Sequence, residues 1–114
     1  MEGLVQKVEE WASDKGILSK ATTLAQSLKT LEEATELVGA ISINDREETI
    51  DAIGDIMVTL IIQCKMQGLS LEECLLAAYS VISKRTGNMV NGQFVKDQMS
   101  ICSCEENKGQ CNCI

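Results

Sequence analysis

Apolar residues recur at helical spacing over roughly the first ninety positions, and this pattern predicts an all-α fold. The first apolar stripe ends near Gly16. A second stripe begins at about Ser19 or Thr22 and runs to about Ser42. The chain contains no proline, the residue that most strongly interrupts helices.

Two further helices are indicated by their start and stop signals. Asp45 and Glu48 have the spacing of a capping box, which predicts the start of a third helix that ends at Gly68. The same spacing recurs at Ser70 and Glu73, where a fourth helix is predicted to begin.

The segment after the fourth helix, NMVNGQFV, contains an Asn-Gly turn signal and fits either a loop or a short hairpin. Residues 98–114 follow neither helical nor strand spacing. The sequence therefore predicts a four-helix domain over residues 1–97 and an irregular cysteine-rich tail over residues 98–114. Because 114 residues bury a modest core, we expect self-association, as a homodimer or homotetramer, to complete the bundle.

The composition narrows the classes of function. With 17 acidic and 10 basic residues the net charge is −7, which disfavours nucleic acid or an anionic membrane as a partner. The absence of histidine excludes imidazole bases and Ser-His-Asp triads. No secretory signal is visible, and the apolar run from Ile56 to Ile62 is too short to cross a bilayer, so we expect a cytoplasmic protein.

The third helix carries a narrow file of polar side chains on an otherwise apolar surface. Four-residue spacing places its members on one face of the helix: Asp51, Asp55, Thr59 and Gln63. An unpaired carboxylate at Asp55 would be costly to bury. The file must therefore face a partner inside the assembly.

The second helix offers that partner in the acidic cluster of LEEATEL. Glu32, Glu33 and Glu36 lie within one turn, where charges of the same sign repel and weaken a helix. A short NDRE turn would make the two helices antiparallel and bring these glutamates opposite the aspartates of the polar file. The result is a cage of oxygen ligands suited to Mg²⁺ or Mn²⁺.

These two motifs resemble those of the MazG-like all-α nucleoside triphosphate pyrophosphohydrolases, whose signature is E-x-x-E on one helix and E-x-x-D on the next. Glu33-Ala-Thr-Glu36, followed by Leu37, is similar to the first half. The segment IGDIMVTL is similar to the second half and places Asp55 on the family's aspartate. The resemblance covers roughly residues 1–97 and is strongest to small prophage-type members.

The second half departs from the signature at one position. Ala52 occupies the place of the family's glutamate, and the resemblance makes Asp51, one residue earlier, its substitute. The register Glu48-Thr-Ile-Asp51 also spells E-x-x-D, but it lies one turn too early. We therefore interpret Glu48 as a capping residue.

The resemblance implies hydrolysis of (deoxy)nucleoside triphosphates to the monophosphate and pyrophosphate, in the sanitation or remodelling of nucleotide pools. It implies a Mg²⁺-activated water as the nucleophile. The implied ligands are Glu33, Glu36, Asp51 and Asp55. The implied base is Glu33 or Glu32, although Glu32 fits a solvated helix surface equally well. Such an enzyme would act in a bacterial cytoplasm, or be phage-encoded and act in that of the host.

Basic and amide groups near the fourth helix resemble the phosphate-contacting end of these domains. They are Lys84, Arg85, Asn88 and Lys96. Lys84 and Arg85 also fall where cations stabilise the end of a helix, so both interpretations stay open.

The competing hypothesis is a non-enzymatic helical module that binds a metal or nucleotide for regulation. The departure at Ala52 leaves room for it. A purely structural oligomer is the third interpretation, but it leaves Asp55 unexplained.

The tail raises a separate question. Its two Cys-x-Cys pairs supply enough thiolates for a tetrahedral Zn²⁺ site: Cys102, Cys104, Cys111 and Cys113. An unstructured, redox-labile tail and disulfides formed on purification are the alternatives. We assign these cysteines no catalytic role.

Overall fold

A computed structural model describes residues 1–97 and shows a mostly helical chain. The elements are α1 (Glu2–Asp14), α2 (Ile17–Lys20), α3 (Thr23–Ser42), α4 (Arg46–Gln67), α5 (Leu71–Ile82), β1 (Gly87–Val90) and β2 (Gln93–Lys96). The predicted all-α class is confirmed. The described part of the chain nevertheless has five helices rather than the predicted four, and it ends in a β-hairpin.

The additional helix arises at the start of the chain. Gly16 adopts a left-handed conformation with φ of 77°, so α1 stops before it and the four-residue α2 follows. Thr22 is the N-cap of α3, because its side chain accepts a hydrogen bond from the amide of Ala25 at 3.1 Å. Of the two predicted starts for this helix, Thr22 is therefore right, whereas Ser19 lies in α2.

The two predicted capping boxes differ in completeness. The side chain of Asp45 caps α4 by accepting from the amide of Glu48 at 3.1 Å, but the amide of Asp45 donates to the carbonyl of Ala40 instead of to Glu48. At the start of α5 both halves form, since Ser70 and Glu73 each accept from the other's amide, at 3.1 and 2.7 Å.

The chain divides into two compact units, the first formed by Met1–Leu75 and the second beginning at Leu76. In the first unit α4 is central, because α1, α2 and α3 all pack against it. Its buried residues are Ala52, Thr59, Ile61, Ile62 and Cys64. Among residues 1–97, no helix is both long and apolar enough to cross a membrane.

Hydrogen bonds between α3 and α4 fix the alignment of the two helices. The Thr30 hydroxyl donates to the Thr59 hydroxyl at 2.9 Å, and the side-chain amide of Gln26 donates to the backbone carbonyl of Thr59 at 3.4 Å. One turn further along α4, the side-chain amide of Gln63 donates to the backbone carbonyl of Thr23 at 2.9 Å. The polar file of α4 therefore faces α3, and the two helices are antiparallel, as predicted.

The apolar stripe of α3 faces away from α4. Its large side chains are between 57% and 71% exposed in the single chain: Leu24, Leu28, Leu31, Val38 and Ile41. A contiguous apolar surface of this kind is unusual on a monomeric protein. In the part of the chain that the structure describes, this face is therefore exposed, although its sequence pattern is that of a packing surface.

The second unit contains the hairpin that the sequence left open. Its two-residue turn, Asn91 and Gly92, has φ of 51° and 80°, the backbone of a type I′ turn. The strands are antiparallel, with Gly87 opposite Lys96 and Val90 opposite Gln93. Asn-Gly is the strongest short-range signal for this turn, so the hairpin interpretation was the right one.

We predict that Gly87→Ala opens the hairpin. A Cβ at Gly87 would collide with the carbonyl oxygen of Val95 and lie 2.6 Å from the ring of Phe94. Exchange of the strand amides, followed by NMR, should accelerate roughly tenfold or more. Gly3→Ala, where a Cβ meets nothing within 4 Å, should leave exchange unchanged. Equal exchange in the Gly87 variant and wild type would contradict this prediction.

Candidate functional site

Three carboxylates from two helices converge in the first unit. Glu33 and Glu36, one turn apart on α3, and Asp55 on α4 each present an oxygen, and these oxygens all lie within 4.8 Å of one another. The hydrogen bond between Thr30 and Thr59 lies about one turn from the group on both helices, because Glu33 is three residues after Thr30 and Asp55 is four residues before Thr59. The predicted opposition of the two acidic motifs is thus present for these three residues.

Asp51 lies one turn before Asp55 and is exposed, outside the three-carboxylate group. Its charge nevertheless contributes to raising the pKa of Asp55. Ala52, the departure from the family signature, is 4% exposed and belongs to the core. Consecutive residues are separated by about 100° around a helix, so Asp51 projects differently from a residue at position 52. Its role as a ligand stays a prediction.

The other predicted acidic residues lie at the surface. Glu32 is 55% exposed and forms an ion pair with Lys29 at 3.2 Å. That contact fits its interpretation as a surface residue. Glu48 is exposed in the first turn of α4, where its amide is capped by Asp45.

The electrostatics of the cluster are those of like charges held together. The pKa of Glu33 is raised from 4.5 to about 7, first by a hydrogen bond shared with Glu36, then by burial and by the charges of Glu36, Asp55 and Glu32. The pKa of Asp55 is also raised, chiefly by burial and then by the charges of Asp51 and Glu36. Without a cation, the cluster therefore favours retention of a proton.

One oxygen of the cluster lacks a partner. Among the described residues, Glu33 Oε2 is the buried side-chain oxygen that accepts no hydrogen bond. Oxygen ligands around Mg²⁺ at 2.0–2.1 Å are separated by about 2.9 to 4.2 Å, so small side-chain rotations would bring oxygens now within 4.8 Å to one ion. The donor set, its charge and the unpaired oxygen all fit a hard divalent cation such as Mg²⁺ or Mn²⁺.

The predicted phosphate-binding residues belong to the second unit. Lys84 and Arg85 follow the last residue of α5, and their amides donate to the carbonyls of Val81 and Ile82. Asn88 is on β1 and Lys96 on β2.

The hairpin does not bring Asn88 and Lys96 to one face. Asn88 is opposite Val95, whereas Lys96 is opposite Gly87, so the two side chains lie on different faces of the hairpin. Phosphate binding by these four residues stays a prediction. The four tail cysteines lie outside the described residues.

Sequence reasoning missed two polar residues of α3 that lie next to the site, Gln26 and Thr30. Both contact Thr59, a member of the polar file of α4. Their four-residue spacing on α3, with Glu33 three residues after Thr30, was the available signal.

Comparison with known proteins agrees with this arrangement of acidic helices. The family model of phosphoribosyl-ATP pyrophosphohydrolase matches residues 5–78, which include α3 and α4. The chain belongs to the phosphoribosyl-ATP pyrophosphohydrolase family. Its membership confirms the broader relationship to the all-α MazG-like superfamily that the two acidic motifs indicated.

A phage protein is also similar to the chain. It is an uncharacterised 18.2 kDa protein from the rep-hol intergenic region of Haemophilus phage HP1 (strain HP1c1), 31% identical over 65 residues. The match covers 57% of this chain and 40% of the phage protein. No solved structure matches the chain.

We predict that the metal-free protein loses stability as the pH rises from about 4.5 to about 7. In this window Glu33, with its pKa raised to about 7, holds a proton in the folded chain that the unfolded chain has released. The free energy of unfolding therefore falls with increasing pH. Glu33→Gln should reduce this slope, although the raised pKa of Asp55 acts in the same direction and will leave part of it.

The measurement is the urea midpoint in EDTA across this pH range. Glu10→Gln, at an exposed position on α1, is the control and should retain the wild-type slope. A wild-type slope in Glu33→Gln would show that the cluster does not hold a proton there.

Proposed function

We propose that this chain is a divalent-metal-dependent pyrophosphohydrolase that converts (deoxy)nucleoside triphosphates to the monophosphate and pyrophosphate. The observation that carries the proposal is the convergence of Glu33, Glu36 and Asp55 within 4.8 Å. The family description, phosphoribosyl-ATP pyrophosphohydrolase, names the same bond type. A small, prophage-type MazG-like member is the assignment within that superfamily that we favour, and the similarity to a phage protein supports it.

The acidic residues of the cluster would have two roles, metal binding and general-base catalysis. Glu33, Glu36 and Asp55 would hold Mg²⁺ or Mn²⁺, and the charge of Asp51 would strengthen the field around them. When bound, such an ion neutralises phosphate oxygens and acidifies a water molecule. Glu33 is the base we favour over Glu32, because Glu33 lies within the carboxylate cluster, whereas Glu32 pairs with Lys29 at the surface.

The four polar residues of the second unit would contact the phosphate groups. Lys84 and Arg85 carry the positive charge that an acidic protein needs to hold a polyphosphate. Because Asn88 and Lys96 lie on different faces of the hairpin, we propose that they do not contact the same phosphate oxygen.

The family description also favours a second candidate substrate, phosphoribosyl-ATP, which keeps the triphosphate of ATP. A regulatory module that binds a nucleotide without turnover remains the non-enzymatic alternative, and the buried Ala52 is the feature in its favour.

We predict that pyrophosphate release depends on Mg²⁺ or Mn²⁺, stops in EDTA, and falls roughly a hundredfold or more in Asp55→Asn. Loss of a metal ligand removes several kcal/mol of transition-state stabilisation. The assay uses a panel of ribo- and deoxynucleoside triphosphates together with phosphoribosyl-ATP. Asp14→Asn, at the exposed end of α1, is the matched control and should retain activity.

Each outcome selects one of the alternatives. Release from phosphoribosyl-ATP alone would assign the narrower substrate. Nucleotide binding without release would favour the regulatory module, and full activity in Asp55→Asn would refute the metal assignment.

We also propose that two copies of the chain pair through the exposed apolar stripe of α3, as a dimer or within a tetramer. The side chains of this stripe are exposed among the described residues, and a second copy of the chain offers a matching apolar face that would remove them from water. In such an assembly α3 would lie at the interface, with α4 packed on its other side.

The double variant Leu28→Lys/Leu31→Lys should be monomeric in sedimentation equilibrium, because it places two like charges in the stripe. Leu4→Lys, which changes a leucine of α1 that is 65% exposed, should sediment as wild type. A wild-type protein that is monomeric at all concentrations tested would refute the proposed pairing.

A further inference from the structure

A buried polar cluster lies next to the three carboxylates. Gln26 and Thr59 are 6% and 7% exposed, and Thr30 is half-buried beside them. Buried polar groups are costly unless they are hydrogen-bonded, and apolar residues of the same size would pack the two helices at lower cost. Stability alone therefore does not explain why a polar cluster lies between α3 and α4.

The hydrogen bonds of the cluster have a defined direction. The Thr30 hydroxyl donates to Thr59 Oγ1 at 2.9 Å, and the Thr59 hydroxyl donates to the carbonyl of Ile56 at 2.7 Å. Gln26 Nε2 donates to the carbonyl of Thr59 at 3.4 Å. The chain of bonds therefore runs from the side chains of α3 to the backbone of α4, and it reaches the residue that follows Asp55.

This arrangement ties the alignment of the helices to the carboxylates. Thr30 is three residues before Glu33, and Thr59 is four residues after Asp55, so the hydrogen-bonded pair lies one turn below the acidic group on both helices. Apolar contacts are not directional, so helices held by them alone can slide by fractions of a turn. Hydrogen bonds weaken steeply with distance and angle and resist such sliding.

Like-charge repulsion makes this restraint necessary. The charges of Glu36 and Asp55 both raise the pKa of Glu33, so the packing of α3 on α4 brings like charges together. A cation needs oxygens from both helices at nearly fixed separations. Removal of a group that orients metal ligands commonly weakens metal binding by about ten- to a hundredfold.

We propose that Thr59, Thr30 and Gln26 are positioning residues, which hold Asp55 opposite Glu33 and Glu36 at the separation that one divalent cation requires. This inference rests on the proposed metal site. It does not require that the site turns over a nucleotide.

The test is the affinity for Mn²⁺ alone, measured by electron paramagnetic resonance of the free ion, in wild type and Thr30→Val/Thr59→Val. Valine keeps the shape of threonine and removes the hydroxyl, so the variant should fold, which its urea midpoint checks. We expect Mn²⁺ binding to weaken about tenfold or more. Thr59→Ser keeps the hydroxyl and should therefore retain most of the wild-type affinity for Mn²⁺.

Thr35→Val is the matched control on α3. The Thr35 hydroxyl is exposed and donates to the carbonyl of Leu31 on the same helix at 2.9 Å, so its loss should leave Mn²⁺ affinity unchanged. Wild-type affinity in the double variant would overturn the inference, and so would an equal loss in the Thr35 control or in Thr59→Ser.

The outcomes also separate this inference from the proposed function. Mn²⁺ binding that depends on the hydroxyls, without pyrophosphate release from any nucleotide, would support the positioning role and refute the enzymatic activity. A wild-type protein that binds no Mn²⁺ would overturn the positioning role together with the metal site.

Discussion

The antiparallel packing of α3 on α4 is the interaction on which the rest of this structure depends. It places the polar file of α4 against α3, where Thr30 and Gln26 donate hydrogen bonds to Thr59. The same alignment brings Glu33 close to Asp55, whose charge is one of the causes that raise the pKa of Glu33. The helix pair thus provides the free energy that holds an unfavourable charge cluster in place.

Much of this arrangement could be predicted from the sequence because its causes are local. Helical periodicity and the signals at Asp45 and Gly68 defined the long helices, and the four-residue spacing of polar groups placed Asp55 on the face of α4 that meets α3. Other features depend on conformation or on contacts that spacing does not encode. The left-handed backbone of Gly16 created α2, and the exposure of the α3 stripe depends on which face α4 covers.

The acidic site was predicted in part, and the reason lies in helix geometry. E-x-x-E puts Glu33 and Glu36 on one face, so their convergence follows from spacing alone. The contribution of Asp51 depends on the direction in which it projects from α4. The next residue, Ala52, is buried in the core. Family membership supports pyrophosphohydrolase chemistry, and the cation that we propose would turn the repulsive charge of the cluster into a ligand set.

The proposed metal site requires that Glu33, Glu36 and Asp55 together hold one divalent cation. The most direct measurement is an anomalous difference map from crystals grown with Mn²⁺, because it locates the ion without reference to activity. We expect a single strong peak surrounded by oxygens of these three carboxylates from α3 and α4. No peak there at saturating Mn²⁺, or a peak bound instead by Asp51 without Glu33 and Glu36, would contradict it.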